Sequence, residues 1–299
     1  MIEIGEHSEG VYFASFGTGN WHLKKATKRI YREASLSGFF SETFVYTDVT
    51  LFEKFPEIEN EIRDLRDRFA KGYGLYLWKI LMLKEILSII PINSVLVYLD
   101  AGCHINFGTT NAHKNFRRYI HKLDSQPIVA FQIRENQFQD HSNFSEKFWS
   151  KKELIEYFSL DTEDSSSNQI ESGVILFRND NEGRDFVERW LATARLQDYT
   201  FIQDGPIVID GRVVGQNRHD QSVFSCLFKS MKYKPIANET YFPDQWSEAG
   251  NNFPFWTIRN RTGIRREFHI LDLPERFILR INKSYVKVKS KILQSIAKR

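Results

Sequence analysis

The stretch SVLVYLDAGCHIN, residues 94–106, decides the fold. Five of the six residues from Val95 to Asp100 are apolar or aromatic, and the run then stops on a carboxylate. A short, continuous, β-branched run of this kind reads as a strand buried on both faces. Ligands of open α/β sheets bind at the carboxyl ends of such strands. Asp100 stands at that end, and Ala101 and Gly102 behind it leave the backbone bare, so that a bulky ligand can approach. An aspartate that merely caps a turn explains the same residues equally well.

The flanking sequence supplies the rest of an α/β pattern. GVYFASFG (10–17) reads as a first strand followed by a Gly17–Thr18–Gly19 turn, and TFVYTD (43–48) as a second strand that also closes on an acid. PIVAFQI (127–133), QIESGVILFRN (169–179) and YKPIANETYF (233–242) read as further strands. Apolar residues at helical spacing predict helices over 22–38, 57–70, 75–90, 145–160, 182–195 and 219–230. DTEDSSSN (161–168) and 196–218 read as loops. Alternating strands and helices favour a largely parallel central sheet covered on both faces.

With 299 residues the chain is long enough to bury a core without disulfides, and its two cysteines, Cys103 and Cys226, fit a reducing cytosol. The start, MIEIGEHSEG, has neither a basic nor an apolar region of the secretory type. The apolar region from Ile80 to Leu99 is interrupted by Lys84, Glu85, Pro91 and Asn93, too often for a membrane span. Most of the 25 Phe, 12 Tyr and 6 Trp read as core. The net charge of +3 conceals an asymmetry, because residues 276–299 carry eight Lys or Arg and no acid, which leaves −5 for the rest. In that tail Phe277, Ile281, Tyr285, Val288, Ile292 and Ile296 form one helical stripe beside the cations. A basic amphipathic helix of this type lies on an anionic membrane surface, or packs on the protein's own acidic body or on a second subunit. Nucleic-acid binding is disfavoured by the acidic body and the apolar stripe.

Four stretches in order, GYGLYLWK (72–79), YLDAGC (98–103), IESGVILFRN (170–179) and RHDQSVFS (218–225), resemble bacterial glycosyltransferases of the GT-A fold that build capsule and lipopolysaccharide sugars, distant relatives of glycogenin-type enzymes. The resemblance runs from about Val11 to about Tyr241. It implies a Rossmann-like nucleotide-diphospho-sugar transferase domain, placed over 1–245; beyond it 246–275 reads as a connecting segment and 276–299, from its own spacing, as a C-terminal helical tail. It implies transfer of a hexose from a nucleotide sugar to a hydroxyl of a surface-glycan acceptor that is lipid-linked; the cysteine usage and the basic tail point to a cytoplasmic protein peripheral to the membrane. A non-catalytic carbohydrate or nucleotide module and a sugar nucleotidylyltransferase are the alternatives, and FGTGN lacks the cation that the latter carries in its first loop.

The resemblance implies a role for each matching residue. Asp100 stands at the first acid of a D-x-D motif, which meets the donor ribose and a divalent metal, whereas the second position is Gly102. Two carboxylates hold Mg²⁺ or Mn²⁺ well. With one, the ion needs His104 or His219 beside Asp100, or is replaced by Lys79, Arg218 or Lys229 acting on the phosphates. Phe16, Gly17 and Thr18 match the place of the base and first phosphate contacts, where a core phenylalanine and a plain turn fit as well. Lys79, buried beside Trp78, needs Asp100 or a phosphate as partner. Glu171 lies under the donor sugar, with Ser172 and Gly173 leaving room for the ring. Asp220, then His219 and Gln221, touch the reacting sugar and the acceptor, although Asp220 also suits a helix N-cap. If the reaction inverts configuration, Asp220 or Glu171 is the base, and if it retains, both orient and stabilise.

Overall fold

The computed structural model describes residues 9–18, 21–69, 71–134, 143–242 and 245–260. The expected tail helix, 276–299, lies outside them. The strands are β1 (Val11–Phe16), β2 (Glu42–Tyr46), β3 (Val95–Leu99), β4 (His104–Ile105), β5 (Ile128–Gln132), β6 (Ile170–Arg178), β7 (Pro206–Ile209), β8 (Arg212–Gln216), β9 (Ile236–Ala237) and β10 (Phe255–Trp256). The helices are α1 (Trp21–Ser37), α2 (Asp48–Lys54), α3 (Glu59–Arg68), α4 (Leu77–Ile89), α5 (Thr110–Lys122), α6 (Glu146–Trp149), α7 (Lys152–Tyr157), α8 (Thr162–Ser166), α9 (Asn181–Tyr199) and α10 (Asp220–Ser230).

The central sheet has the order β2-β1-β3-β6-β5-β9. β6 alone is reversed: it pairs antiparallel with both β3 and β5, while β1 runs parallel to β2 and β3, and β5 to β9. The reversal matters for the site. It brings the first residues of β6, Glu171 to Gly173, to the edge where β3 delivers Asp100, and the Asp100 N–H donates to the Gly173 carbonyl at 2.9 Å.

Strand periodicity then divides the interior into two cores. Ala14, Leu96, Tyr98, Ala130, Ile175 and Phe177 face α2, α3, α4, α9 and α10. Phe13, Val97, Leu99, Val129, Val174 and Leu176 face α1, α5 and β10. The sheet is thus covered by helices on both faces, as the sequence pattern predicts. Tyr98 and Asp100 share the first face because they are two residues apart, which aims the acid at α4. That helix is apolar nearly all round, packs on α9 and lies within the core behind this face of the sheet, and Lys79 is its one fully buried cation.

Several expected elements differ. The long loop 196–218 contains the β7–β8 hairpin, turned at Asp210–Gly211 with both φ positive (49° and 72°), the two-residue turn that an Asp-Gly pair favours. The helix expected over 145–160 breaks into α6 and α7 at Ser150, whose hydroxyl donates to Glu146. The last strand shrinks to Ile236–Ala237, and part of the acidic loop forms α8. The segment expected to be a connector is built into the body as far as Asn260, because β10 pairs with β4. Cys103 and Cys226 are free and buried. No helix among the described residues is long and apolar enough to cross a membrane.

Candidate functional site

Asp100, Lys79, Ser172, Gly173 and Asp220 converge where β3, β6, α4 and the start of α10 meet. The Lys79 ammonium lies 2.7 Å from Asp220 Oδ2 and 3.6 Å from Asp100 Oδ1. It also donates to the carbonyl and hydroxyl of Ser172, each at 3.2 Å, and the Ser172 hydroxyl donates to Asp220 Oδ2 at 3.0 Å. Burial alone would lower the Lys79 pKa, but the two carboxylates hold it above its ordinary value. The Tyr98 hydroxyl donates to Asp100 Oδ1 at 2.5 Å. Lys79 and Asp220 are enclosed, with side chains 4 % and 6 % exposed, whereas the Asp100 side chain is 50 % exposed. The buried pair therefore anchors the site, and Asp100 is the acid whose side chain reaches solvent.

The bare backbone around Asp100 has a different cause from the one expected. A Cβ on Gly173 would lie 3.2 Å from Asp100 Oδ2, so that glycine makes room for the acid itself. A Cβ on Gly102 would lie 3.3 Å from the Arg259 Cα, and one on Gly17 would strike the Thr27 hydroxyl at 2.3 Å. The chain's own segments fill the space that the sequence assigns to a ligand at these two glycines. Beneath the turn, Arg29 donates to the Ala101 and Cys103 carbonyls, both at 2.8 Å, and to Glu33 at 3.0 Å. Burial raises the Glu33 carboxyl, but His104, Arg29 and the Ile105 N–H outweigh it and bring it down to about 2.

Glu171 is buried, and its Oε1 accepts a hydrogen bond from Thr240. Burial pushes it up to about 7. The Thr240 hydrogen bond opposes that rise, Asp100 adds to it, and Arg218 and Arg259 oppose it. Arg218 stacks its guanidinium over the Trp149 ring at 5.2 Å. Its pKa is lowered to about 10, first by burial and then by the charge of Arg259.

The GYGLY segment adds strain beside these groups. Gly72 to Tyr76 all have positive φ, between 50° and 83°, and close a left-handed turn with N–H bonds from Leu75 to Lys71 and from Tyr76 to Gly72. Each non-glycine residue there costs about 1–2 kcal/mol. The turn carries the Tyr73 hydroxyl to Asp48 at 3.2 Å and sets the Tyr76 ring 5.4 Å from that of His219. His219 is itself strained, with φ 56° and ψ −128°. Backbone strain of this kind clusters at ligand sites.

Other sequence-predicted residues fall elsewhere. Phe16 is buried against Trp78, ring centroids 4.1 Å apart, and serves as core. Thr18 is buried beside Asp48 and Gly17 is packed on α1. Asp220 is not the N-cap of α10; His219 holds that position, and the Asp220 side chain is committed to Lys79. Gln221 donates to Gln169 at 2.8 Å. Lys229 pairs with Glu146 at 2.9 Å, at the far end of α10. Tyr98, Thr240 and Arg259 gave no sequence signal: Tyr98 reads as a strand apolar, and the other two arrive from distant segments.

The donor set does not fit a divalent ion. The His219 Nδ1–H donates to the Ile202 carbonyl at 2.9 Å and its Nε2 faces Asp204 at 3.4 Å. His104 uses Nδ1 on Glu33 at 2.9 Å and Nε2 on the Asn260 amide at 2.7 Å. Neither imidazole is free to join Asp100. Among the described residues no three His, Cys, Asp or Glu side chains gather into a set that could hold a metal.

No family model matches the chain, and no curated protein matches it. Solved structures do. Mouse xyloside xylosyltransferase 1, in its apo form, is 13 % identical over 79 % of this chain and 86 % of its own, with a TM-score of 0.40. A glycosyltransferase involved in glycosylation of the major capsid of PBCV-1 is 9 % identical over 88 % of this chain and 96 % of its own, TM-score 0.44. GlyE of Streptococcus pneumoniae TIGR4 is 12 % identical over 94 % of this chain and 64 % of its own, TM-score 0.38. At these identities and scores the chemistry has to be argued from the residues of the site.

Proposed function

We propose that the protein is a glycosyltransferase that moves a hexose from a nucleotide-diphosphate sugar to a hydroxyl of a surface-glycan acceptor. The observation that carries this reading is Asp100: a half-exposed acid at the end of a buried strand, fixed by Tyr98 and by a buried lysine, beside a second carboxyl, Glu171, poised at about 7. A rigid, partly solvated acid suits sugar and ribose hydroxyls. A carboxyl poised near neutrality suits a proton acceptor, because a general base works best with a pKa close to the working pH. Glu171 takes the acceptor proton. Asp220, locked to Lys79, holds the ammonium in place and orients Ser172. The strained Tyr73–Tyr76 turn and Asp48 line the side on which the nucleoside is bound. A lipid-linked acceptor would be met at an anionic membrane surface through the basic segment 276–299, a reading supported by its sequence alone.

A panel of nucleotide sugars, assayed for slow donor hydrolysis and for thermal shift with and without Mn²⁺, tests the proposal. At least one donor should both stabilise the protein and be hydrolysed. Stabilisation without turnover by any donor, with acceptor glycans present, would mark a binding module instead.

A further inference from the structure

Arg218 rests on a rigid platform. The Trp149 Nε1–H donates to the Asn143 carbonyl at 2.7 Å, and the Trp149 ring stacks on Phe144, with centroids 5.9 Å apart and planes 13° from parallel. The Arg218 guanidinium lies over the Trp149 ring, 5.2 Å from its centroid. One hydroxyl fixes both backbones: Ser222 accepts from the Arg218 N–H at 2.9 Å and donates to the Trp149 carbonyl at 2.6 Å. Two residues further along the chain, Asp220 is committed to Lys79, so this platform adjoins the cluster around Asp100.

The guanidinium is held there with its donors unused. Arg29, Arg118, Arg178 and Lys229, buried or half-buried like Arg218, each meet a carboxylate. Among the described residues the Arg218 guanidinium forms no ion pair and no hydrogen bond. Burial lowers its pKa, while Asp220 and Glu171 attract it without pairing. Five N–H donors in a fixed fork thus remain for a ligand. A carboxylate matches that fork with two parallel, charge-assisted hydrogen bonds.

The strand order decides which part of a substrate meets it. Along the site edge of the sheet, Asp48 lies just past β2, Asp100 just past β3, and Glu171 near the start of β6. Gln169, just ahead of β6, accepts from the Ile133 N–H beyond β5 at 2.9 Å and donates to the Trp149 carbonyl at 3.2 Å. Trp149 and Arg218 therefore stand at the end of this row away from Asp48. Three strand spacings, about 14 Å, separate β2 from β6. With the nucleoside at Asp48 and the sugar at Asp100 and Glu171, the diphosphate that joins them lies on the near side of the sugar. The far side, where Arg218 stands, faces the acceptor.

We propose that the acceptor is an acidic glycan and that Arg218 reads a carboxylate on it, as on a uronic acid residue, beside the hydroxyl to be glycosylated. The proposal rests on the glycosyl-transfer reading above. Arg218 is a specificity-determining residue: it selects the acceptor, and Glu171 takes the proton.

An NMR titration with methyl glucuronide tests this without turnover. The wild-type protein should bind the glucuronide about tenfold or more tighter than its uncharged methyl ester. Arg218→Gln should abolish that preference, and Arg63→Gln, on the exposed face of α3, should keep it. Equal binding of acid and ester by the wild type, or binding of neither, would overturn the proposal without any variant having to fold. A preference that survives in a folded Arg218→Gln protein would overturn it as well. Inorganic pyrophosphate bound through Arg218 in place of the glucuronide would put the guanidinium on the leaving group, with the same consequence. An Arg218-dependent glucuronide site in a protein that hydrolyses no nucleotide sugar would keep the acidic-glycan site and remove the transfer reading. Donor hydrolysis without any preference for the glucuronide would do the reverse.

Discussion

Two buried lysine–carboxylate pairs anchor α10, one at each end, and they differ in what is left over. At its C-terminal end Lys229 meets Glu146 at 2.9 Å, with side chains 5 % and 0 % exposed. Glu146 also accepts from Ser150 at 2.7 Å, from Gln169 at 3.2 Å and from Ser225, and Lys229 donates to the carbonyls of Asp164 and Ser167, both at 3.1 Å. Acceptors and donors are matched, and solvent has no access. At the N-terminal end Lys79 meets Asp220 with similar burial, but a second acid, Asp100, stands beside it half in solvent, and a buried carboxyl poised near neutrality, Glu171, lies next to that. A saturated ionic cluster holds elements together. One with spare acceptors, a shifted carboxyl and strained backbone around it has capacity for a ligand.

The sharpest break between the two clusters is Asp100→Asn. It removes a partly solvated charge and keeps the shape, so turnover should fall about 10²-fold or more while the melting temperature stays within a few degrees. Glu146→Ala should do the opposite. It strands a buried ammonium, so denaturation should show a loss of about 3–5 kcal/mol with turnover per folded molecule unchanged. Asp220→Ala should do both, because Lys79 then retains Asp100, at 3.6 Å, as its remaining carboxylate beside the Ser172 carbonyl and hydroxyl. A variant as stable as wild type would show that the Lys79–Asp220 pair anchors nothing.

The pH dependence separates the carboxyls by sign. The folded pKa of Glu171, about 7, lies above the ordinary 4.5, so the folded protein binds the extra proton. The contribution of Glu171 to stability should therefore fall as pH rises from about 4.5 to about 7, by at most about 3 kcal/mol. Turnover should rise over the upper part of the same window, and Glu171→Gln should remove both effects. Glu33 has the opposite sign. Its pKa is depressed to about 2, so its contribution is complete above about 4.5 and is lost as pH falls toward 2. Chemical denaturation at a series of pH values, with Glu33→Gln and Glu171→Gln, resolves the two. The smallest effect belongs to the hairpin turn, where Gly211 has φ 72° and open space around it. Gly211→Ala should cost about 1 kcal/mol and leave turnover intact.

The sheet and its site edge were legible because local signals agreed there. The continuous apolar run ending on Asp100 and the Glu-Ser-Gly start of β6 each show in a few adjacent residues. The reversal of β6 did not show, since a strand buried on both faces has the same pattern in either direction. Asp220 reads as a cap because a capping role is local, whereas its true partner, Lys79, is 141 residues away. The same holds for Arg259 and Thr240, which reach the site only through tertiary folding. The β7–β8 hairpin is a different miss: its Asp210–Gly211 pair is a local turn signal, and the short strands beside it were hidden in a stretch of mixed polarity.

The most direct test sets Asp100→Asn against Glu146→Ala in one assay, donor hydrolysis per folded molecule with the best nucleotide sugar, beside the melting temperature of each. The account predicts that Asp100→Asn melts like the wild type and hydrolyses almost nothing, and that Glu146→Ala melts early and hydrolyses normally while folded. Normal hydrolysis by a folded Asp100→Asn protein would contradict it.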